Sequence, residues 1–290
     1  MRILQVHKYL YRKAGAEAYV LDLAELLKAH GHAVMLWGTD HNAPLPPLNL
    51  RGGDRELFVR HLNFDQRAGL WRDIKKFGHM IWSFEAAAKF ERMVREFKPE
   101  VIHIHNIYHH ISPSILRVAK KYGVPVVMTA HDYHLVNPNY VLYDHGAICE
   151  RQGLAAIFHR CVKNSFAASA ADVIEHAVHK MLGVYERNIA KYLTPTEFVK
   201  EKLVEGGIEE DKIIVLQLPV TPSNSPLERG RNDFSSPARG EVRRGGSKDY
   251  ILFAGRLTEE KGIYLVLEMA KHLPEIKFKI AGDGPEIENV

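Results

Sequence analysis

The spacing of apolar residues changes period twice within the first 37 positions, and few folds accommodate that. Ile3, Leu4 and Val6 form a short apolar run, and His7 to Lys13 is polar and basic. From Gly15 the period becomes helical, with Ala16, Tyr19, Val20, Leu23, Leu26 and Leu27 on one face. Gly31 is placed to stop that helix after His30, and Val34 to Trp37 reads as a second strand. Strand, helix and strand in this order make a βαβ unit, which implies a parallel sheet. The helix then starts at Gly15, just beyond the carboxyl end of the first strand, where open α/β sheets bind their ligands.

The alternation continues. Strands are expected at Val101–His105, Val124–Ala130, Asp172–Glu175, Lys191–Leu193 and Lys212–Leu216, with a helix from Pro113 to Lys121. Thr194-Pro195-Thr196-Glu197 reads as a capping box with proline at the first helical position, opening a helix stopped by Gly206-Gly207. Residues 1–220 therefore form one doubly wound α/β domain. Residues 221–249 are rich in Pro, Ser, Gly and Arg and poor in large apolar residues. Such a stretch cannot bury enough surface to offset its ordering entropy, so it is expected to be a flexible linker or insertion. From 250 a new unit starts, with strands at Tyr250–Ala254 and Ile276–Ala281 around a helix at Gly262–Lys271. One βαβ cannot cover both faces of a parallel sheet, so residues 250–290 are expected to be an incomplete second domain.

Composition narrows the function classes. Of 290 residues, 39 are Lys or Arg and 35 Asp or Glu, a formal charge of +4 without a polybasic stripe, which argues against a dedicated nucleic-acid binder. Cys149 and Cys161 cannot make a disulfide framework and are expected to be inert thiols in a reducing, cytoplasmic setting. No apolar run reaches the roughly 18 residues of a membrane span. Arg55 to Lys98 is basic and aromatic, with Trp71, Lys75, Lys76, Phe77, Trp82 and Phe84. Packing of these aromatics in a long helical excursion is the expected reading. A peripheral contact with the inner membrane face is the competing one.

The chemistry is carried by polar groups at strand ends. His105-Asn106 and His131-Asp132 terminate neighbouring strands, which makes them a candidate ligand site. The histidines at 103, 105, 109, 110, 131 and 134 have no acidic or cysteine partner at a recognised metal spacing, so no metal site is expected. There is no phosphate-loop signature, no H-E-x-x-H helix and no D-x-D pair, and Gly282-x-Gly284 lacks the third glycine of a dinucleotide fingerprint. Arg256 at a strand end and Lys261-Gly262 before a helix suit a diphosphate, with Arg as a planar fork and Lys as a point charge.

Taken in order, these segments resemble the family 4 retaining glycosyltransferases of the GT-B fold. Gly15-Ala16-Glu17 is similar to the family's glycine-rich loop, with Ala14 in place of its first glycine. Thr129-Ala130-His131-Asp132 matches its T-x-H-D segment, and His103-Ile104-His105-Asn106 the strand end lining the acceptor cleft. Thr196-Glu197-Phe198 corresponds to a helix start. Gly255-Arg256-Leu257 with Lys261-Gly262 matches G-R-L-x-x-x-K-G, and Gly282-Asp283-Gly284-Pro285 matches a G-x-G-P turn. By this resemblance the family's E-x7-E element is expected well beyond Val290.

The resemblance implies two Rossmann-like domains, the second one truncated here. It implies transfer of a sugar from a nucleotide-diphosphate donor to an acceptor hydroxyl with retention, in cell-surface polysaccharide or glycolipid synthesis and without a cofactor. His131 would act as a hydrogen-bond donor in catalysis. Gly15, Arg256 and Lys261 would hold the donor diphosphate, and His105, Asn106 and Asp132 would line the cleft for a saccharide or lipid-linked acceptor. Two other readings stay open, a catalytically incompetent fragment that keeps acceptor binding and a nucleotide-binding oxidoreductase.

Overall fold

A computed structural model describes residues 1–41, 54–64, 69–144, 146–217 and 250–290. The expected linker, 221–249, lies outside the described residues. The described residues of Met1–Leu142 and Cys149–Thr221 form one compact unit, and those of Tyr143–Ile148 and Pro222–Val290 another.

The first unit is an α/β, Rossmann-like layer structure. Strand β1 (Arg2–Val6) leads through helix α1 (Gly15–Ala29) into β2 (Ala33–Trp37). A 3₁₀ turn at Asp54–Leu57, α2 (Leu70–Ile81) and α3 (Phe84–Phe97) then precede β3 (Val101–Ile104). Next come α4 (Ser114–Lys121) and β4 (Val126–Thr129). The short strands β5 (Tyr143–Asp144) and β6 (Ala147–Ile148) pair antiparallel and belong to the second unit. The first unit resumes with α5 (Gly153–Phe158), α6 (Phe166–Leu182), β7 (Lys191–Thr194), α7 (Glu197–Glu205) and β8 (Ile213–Val215).

The six long strands form one parallel sheet in the order β2-β1-β3-β4-β7-β8. Its connections run outward in opposite directions from β1 and β3, so the strand order reverses between these two. Both faces of β1 are covered, with Leu4, Gln5 and Val6 fully buried, as a central parallel strand requires. Trp37 anchors one face. Its ring centroid lies 4.8 Å from that of Phe90, and its Nε1–H donates to the Leu57 carbonyl at 2.8 Å. A buried indole needs that acceptor, because an unpaired donor would cost about 1–3 kcal/mol.

Three expectations change. Asp172–Glu175 is not a strand but lies inside α6, which Ser165 caps by accepting from Ala168 N–H and Gly183 ends in a left-handed conformation. The expected signal failed because the buried stripe of α6 is polar: Ser169, Asp172, Glu175 and His179 face inward, while Ile174 and Met181 are exposed. Short Val173-Ile174 then mimics a strand in an otherwise unmarked stretch. The long excursion before β3 is two helices, broken where Trp82 turns extended and the Ser83 hydroxyl accepts from Ala86 N–H to start α3. Its aromatics divide: Phe90 is buried and Trp82 packs on the core, while Trp71 and Phe84 are exposed. Finally, the cap of α7 is Thr196, whose Oγ1 accepts from Val199 N–H. Thr194 still belongs to β7, where its carbonyl accepts from Leu216 N–H, so Pro195 precedes the helix.

The second unit pairs β9 (Tyr250–Ala254) with β10 (Lys277–Ala281) in parallel, linked by a 3₁₀ turn at Glu259–Lys261 and α8 (Ile263–His272). Among its described residues only Leu257, Thr258 and Ile263 are buried. Across the described residues, no helix is long and apolar enough to cross a membrane.

Two glycines of the first unit make opposite demands. A Cβ on Gly38, just after β2, would sit 2.0 Å from the His7 carbonyl oxygen, so β1 and β2 can only end side by side if this residue has no side chain. A Cβ on Gly15 would meet nothing within 4 Å. Gly38→Ala is therefore expected to destabilise the chain by about 1–3 kcal/mol, the usual cost of overpacking. Gly15→Ala is expected to change stability by less than about 0.5 kcal/mol. Urea unfolding of both variants checks this, and equal stabilities would contradict it.

Candidate functional site

The reversal of strand order leaves a crevice beyond the carboxyl ends of β1 and β3, and the first residues past those strands meet there. His7 follows β1 and is wholly buried. Asn106 follows β3, and its backbone N–H donates to His7 Nδ1 at 3.2 Å. Nδ1 therefore carries a lone pair, and the proton sits on Nε2, which donates to Glu17 Oε1 at 3.2 Å from the first turn of α1. Burial lowers the His7 pKa despite the carboxylate beside it, which agrees with a neutral ring. Burial would raise Glu17, but the His7 bond outweighs this and holds it below its usual range. One imidazole thus joins the ends of two strands to the N-terminus of α1, where Glu17 also complements the helix dipole.

Beside it runs a row of histidines. His103 Nε2 lies 2.8 Å from Thr129 Oγ1, and His105 Nδ1 lies 3.0 Å from His131 Nε2. Rings 103 and 105 are stacked at a tilt with centroids 4.2 Å apart, and Tyr19 touches both His105 and His131 edge-on. Burial, the main cause, lowers the pKa of His103 to about 4 and of His131 to about 3, and takes His105 well below its ordinary 6.5. All three are neutral near pH 7, so His131 can offer a ring N–H or accept one but carries no charge to a ligand. Asp132 comes next; its carboxylate accepts from His134 N–H at 3.1 Å and is hydrogen-bonded by Asn106. Burial raises the Asp132 pKa, with Lys8 pulling against it. The structure therefore brings His105 against His131 and Asn106 against Asp132.

An open cleft of about 760 Å³ adjoins this cluster, and Asp132 is the expected site residue that lines it. Most of its wall was not foreseen. Tyr9 and His110 meet through a 3.3 Å contact between the phenol and Nε2, and the rings of His41, His61 and His110 stack at 4.5 and 4.7 Å. Lys13 Nζ sits 4.2 Å above the Tyr9 ring, and Lys8 and Lys76 also face the cleft. The signal available in sequence was the run His7 to Lys13, whose alternation of bases and tyrosines follows directly on β1; nothing marks His41 or His61, which come from separate loops. The lining also includes His109, His134 and Asp172. Burial would lower His109, but Glu175 and Asp172 outweigh it and raise its pKa. Burial also pushes Asp172 up to about 6.

Gly15 opens α1 after an extended Ala14, with open space around it. In the second unit, Arg256 and Lys261 are both exposed, at either end of the turn between β9 and α8, with no ion-pair partner among the described residues. The glycines nearby have a structural reason: a Cβ on Gly282 would lie 1.8 Å from the Gly255 carbonyl oxygen, and one on Gly284 would lie 2.2 Å from that of Leu257. The two cysteines are buried thiols with sulfurs 3.3 Å apart, too far for a disulfide, and His159 Nδ1 is 3.6 Å from Cys161 Sγ.

Residues 14–219 match the model of the glycosyl transferase 4-like domain. The chain belongs to this family. A 42.6 kDa protein in the cps region of Klebsiella pneumoniae is 28% identical over 290 residues, covering 95% of this chain; the chain spans 66% of that relative's length. Among solved structures, the lipopolysaccharide outer core galactosyltransferase WaaB in its apo form is similar with a TM-score of 0.47 and 12% identity. Anabaena HepE in complex with UDP and glucose has a TM-score of 0.46 and 13% identity. In both cases all of this chain aligns with 63% of the other.

The neutral histidines fix the sign of a pH effect. A histidine with a lowered folded pKa binds its proton in the unfolded chain first, so its stabilisation is present above pH 6.5 and is lost as pH falls. His103, His105 and His131 should together make stability fall steeply from about pH 6.5 towards pH 4, by up to roughly 1.4 kcal/mol per pH unit for each ring. Chemical denaturation across that range measures it; a flat profile would show that the rings are already charged. For the His7 bond, Glu17→Gln keeps an acceptor for a neutral ring and is expected to cost less than about 1 kcal/mol, against about 2–4 kcal/mol for Glu17→Ala. Equal losses in the two variants would mean that His7 is protonated.

Proposed function

We propose that this chain carries the acceptor side of a glycosyltransferase that moves a sugar from a nucleotide-diphosphate donor to a saccharide or lipid-linked hydroxyl, with retention at the anomeric carbon. The observation that carries the reading is the cleft of the first unit, the part of the chain that matches the family model. Its tyrosine and histidine rings offer flat apolar faces of the kind a pyranose ring stacks on. Lys8, Lys13 and Asp132 supply the hydrogen-bonding groups around them. In this reading Asp132, His105 and Asn106 orient the acceptor. His131, kept neutral by burial, gives a hydrogen bond to the reacting sugar or phosphate rather than taking a proton or attacking.

Charge develops on the departing diphosphate, and preorganised cations stabilise it best where no rearrangement is needed. Arg256 and Lys261, exposed and without carboxylate partners among the described residues, are the groups we assign to that diphosphate. The relative in the cps region of Klebsiella pneumoniae supports a role in cell-surface polysaccharide synthesis.

The test separates the two halves of the proposal. Titration of the full chain with UDP and with GDP is expected to show binding that weakens roughly tenfold in Arg256→Ala and in Lys261→Ala, the loss of one charged hydrogen bond each. Tyr9→Ala and Asp132→Asn are expected to leave nucleotide binding alone and to reduce transfer to an oligosaccharide acceptor by tenfold or more. Unchanged nucleotide affinity in both cation variants would sink the diphosphate assignment. Unchanged transfer in both cleft variants would sink the acceptor assignment.

A further inference from the structure

The first unit holds one group of chemistry-bearing residues that the proposed transfer does not use. Three chain segments meet beside the cleft: His109 and His134 from the loops after β3 and β4, and Asp172 and Glu175 one turn apart on α6. One ligand atom from each of His109, His134 and Glu175 lies within 4.8 Å of the others. His109 Nε2 is 3.1 Å from Glu175 Oε2 and 3.5 Å from Asp172 Oδ1.

Bland explanations account for this group poorly. If the 3.1 Å contact were an ordinary hydrogen bond, the ring N–H would point at the carboxylate. Instead, His109 Nε2 and both oxygens of Glu175 are buried with no aligned hydrogen-bond partner. Glu175 is completely buried, and a carboxylate there costs several kcal/mol unless something compensates it. His109 and Lys8 attract Glu175 through space, and His109 and Lys163 attract Asp172. None of them makes an aligned hydrogen bond to Glu175 Oε1 or Oε2.

The spacing suits a different partner. Ligands at 2.0–2.2 Å from a tetrahedral zinc lie roughly 3.3 Å from one another. The separation of His109 Nε2 from Glu175 Oε2, 3.1 Å, is close to that value, and a His134 nitrogen lies within 4.8 Å of both. Two imidazoles and a carboxylate form a donor set that favours a first-row divalent ion such as zinc over calcium or magnesium, which prefer all-oxygen shells. The polar stripe of α6 also gains an explanation. Asp172 and Glu175 are placed one turn apart on the face that meets His109, and His179 Nδ1 backs Glu175 Oε1 at 3.9 Å.

We propose that His109, His134 and Glu175 form a three-ligand, zinc-type divalent metal site beside the cleft, with Asp172 next to His109 as an outer carboxylate. The expectation of no metal site from sequence rested on the absence of an acidic partner at a recognised spacing. The partners come instead from α6, more than sixty positions beyond His109, where no local motif could show them.

A second set of soft ligands, Cys149, His159 and Cys161, lies elsewhere in the unit, so the experiment must distinguish the two. The full chain is stripped with chelator and titrated with Zn²⁺ by calorimetry, then with Co²⁺ by absorption. Saturable binding is expected, and the Co²⁺ form should show visible d–d bands of nitrogen and oxygen ligation that persist in the Cys149→Ser/Cys161→Ser variant. His134→Asn and Glu175→Gln, checked for native circular dichroism, should each weaken Zn²⁺ binding by about tenfold or more. Absence of saturable Zn²⁺ binding overturns the proposal. So does a Co²⁺ spectrum consisting only of thiolate charge transfer, or affinity that survives in both ligand variants. Should either ligand variant fail to fold, the Co²⁺ spectrum of the unmodified chain decides.

Discussion

The buried bond between His7 and Glu17 sets the conditions for much of the first unit. His7 leaves β1, accepts from the backbone beyond β3 through one nitrogen and donates to the first turn of α1 through the other. That arrangement fixes the angle at which α1 departs from the sheet and holds the strand ends at the reversal point side by side. It also fixes the tautomer, since only the ring with its proton on Nε2 satisfies both partners. The close approach of Gly38 to the His7 carbonyl belongs to the same junction, because no side chain fits between β1 and β2 at that level.

Around this junction the protein spends polarity where most α/β folds place aliphatic side chains. His103, His105 and His131 are buried, uncharged and linked by short contacts, with Thr129 and Tyr19 closing the row. A core of this kind is held by directional contacts as well as by area, and one ring cannot move without its neighbour losing a partner. Rigidity is what a site needs when its catalytic geometry has to be correct within fractions of an ångström. The aromatic side of the cleft is built differently, from His41 and His61 on two further loops packed against Tyr9 and His110.

Much of the sheet was legible in the sequence because parallel strands buried on both faces are short apolar runs, and the helices between them carry a 3.6-residue stripe. β3, β4 and β8 lie within expected segments, β1, β2 and β7 each extend one residue beyond theirs, and Gly31 ends α1 as anticipated. The rule failed at α6, where the inward stripe is Ser169, Asp172, Glu175 and His179 and the pattern of hydrophobicity is inverted. The strand-end residues of the site were legible for a topological reason, since ligands bind where parallel strands end, and His105, Asn106, His131 and Asp132 stand there. The partners of those residues were not. Glu17 answers His7 across a helix start, His61 stacks on His110 from 49 positions away, and Glu175 meets His109 from α6, with five elements of the chain in between. Such pairs are properties of the assembled fold and leave no periodic trace.

The inverted stripe of α6 has a consequence for how the chain reaches this structure. An ordinary surface helix is drawn to its neighbours early, because its apolar face leaves water on almost any contact. α6 presents carboxylates and imidazoles inward and leaves Ile174 and Met181 outside, so premature docking would bury charge against unformed surroundings. It gains from docking only when His109 and His134 are already in position, and those loops exist only once β3 and β4 have paired. Long-range contacts of this kind carry a large loop-closure cost. The helix therefore acts as a latch: it closes on a sheet that is already correct, and the wall of the cleft it completes is among the last parts of the unit to become ordered.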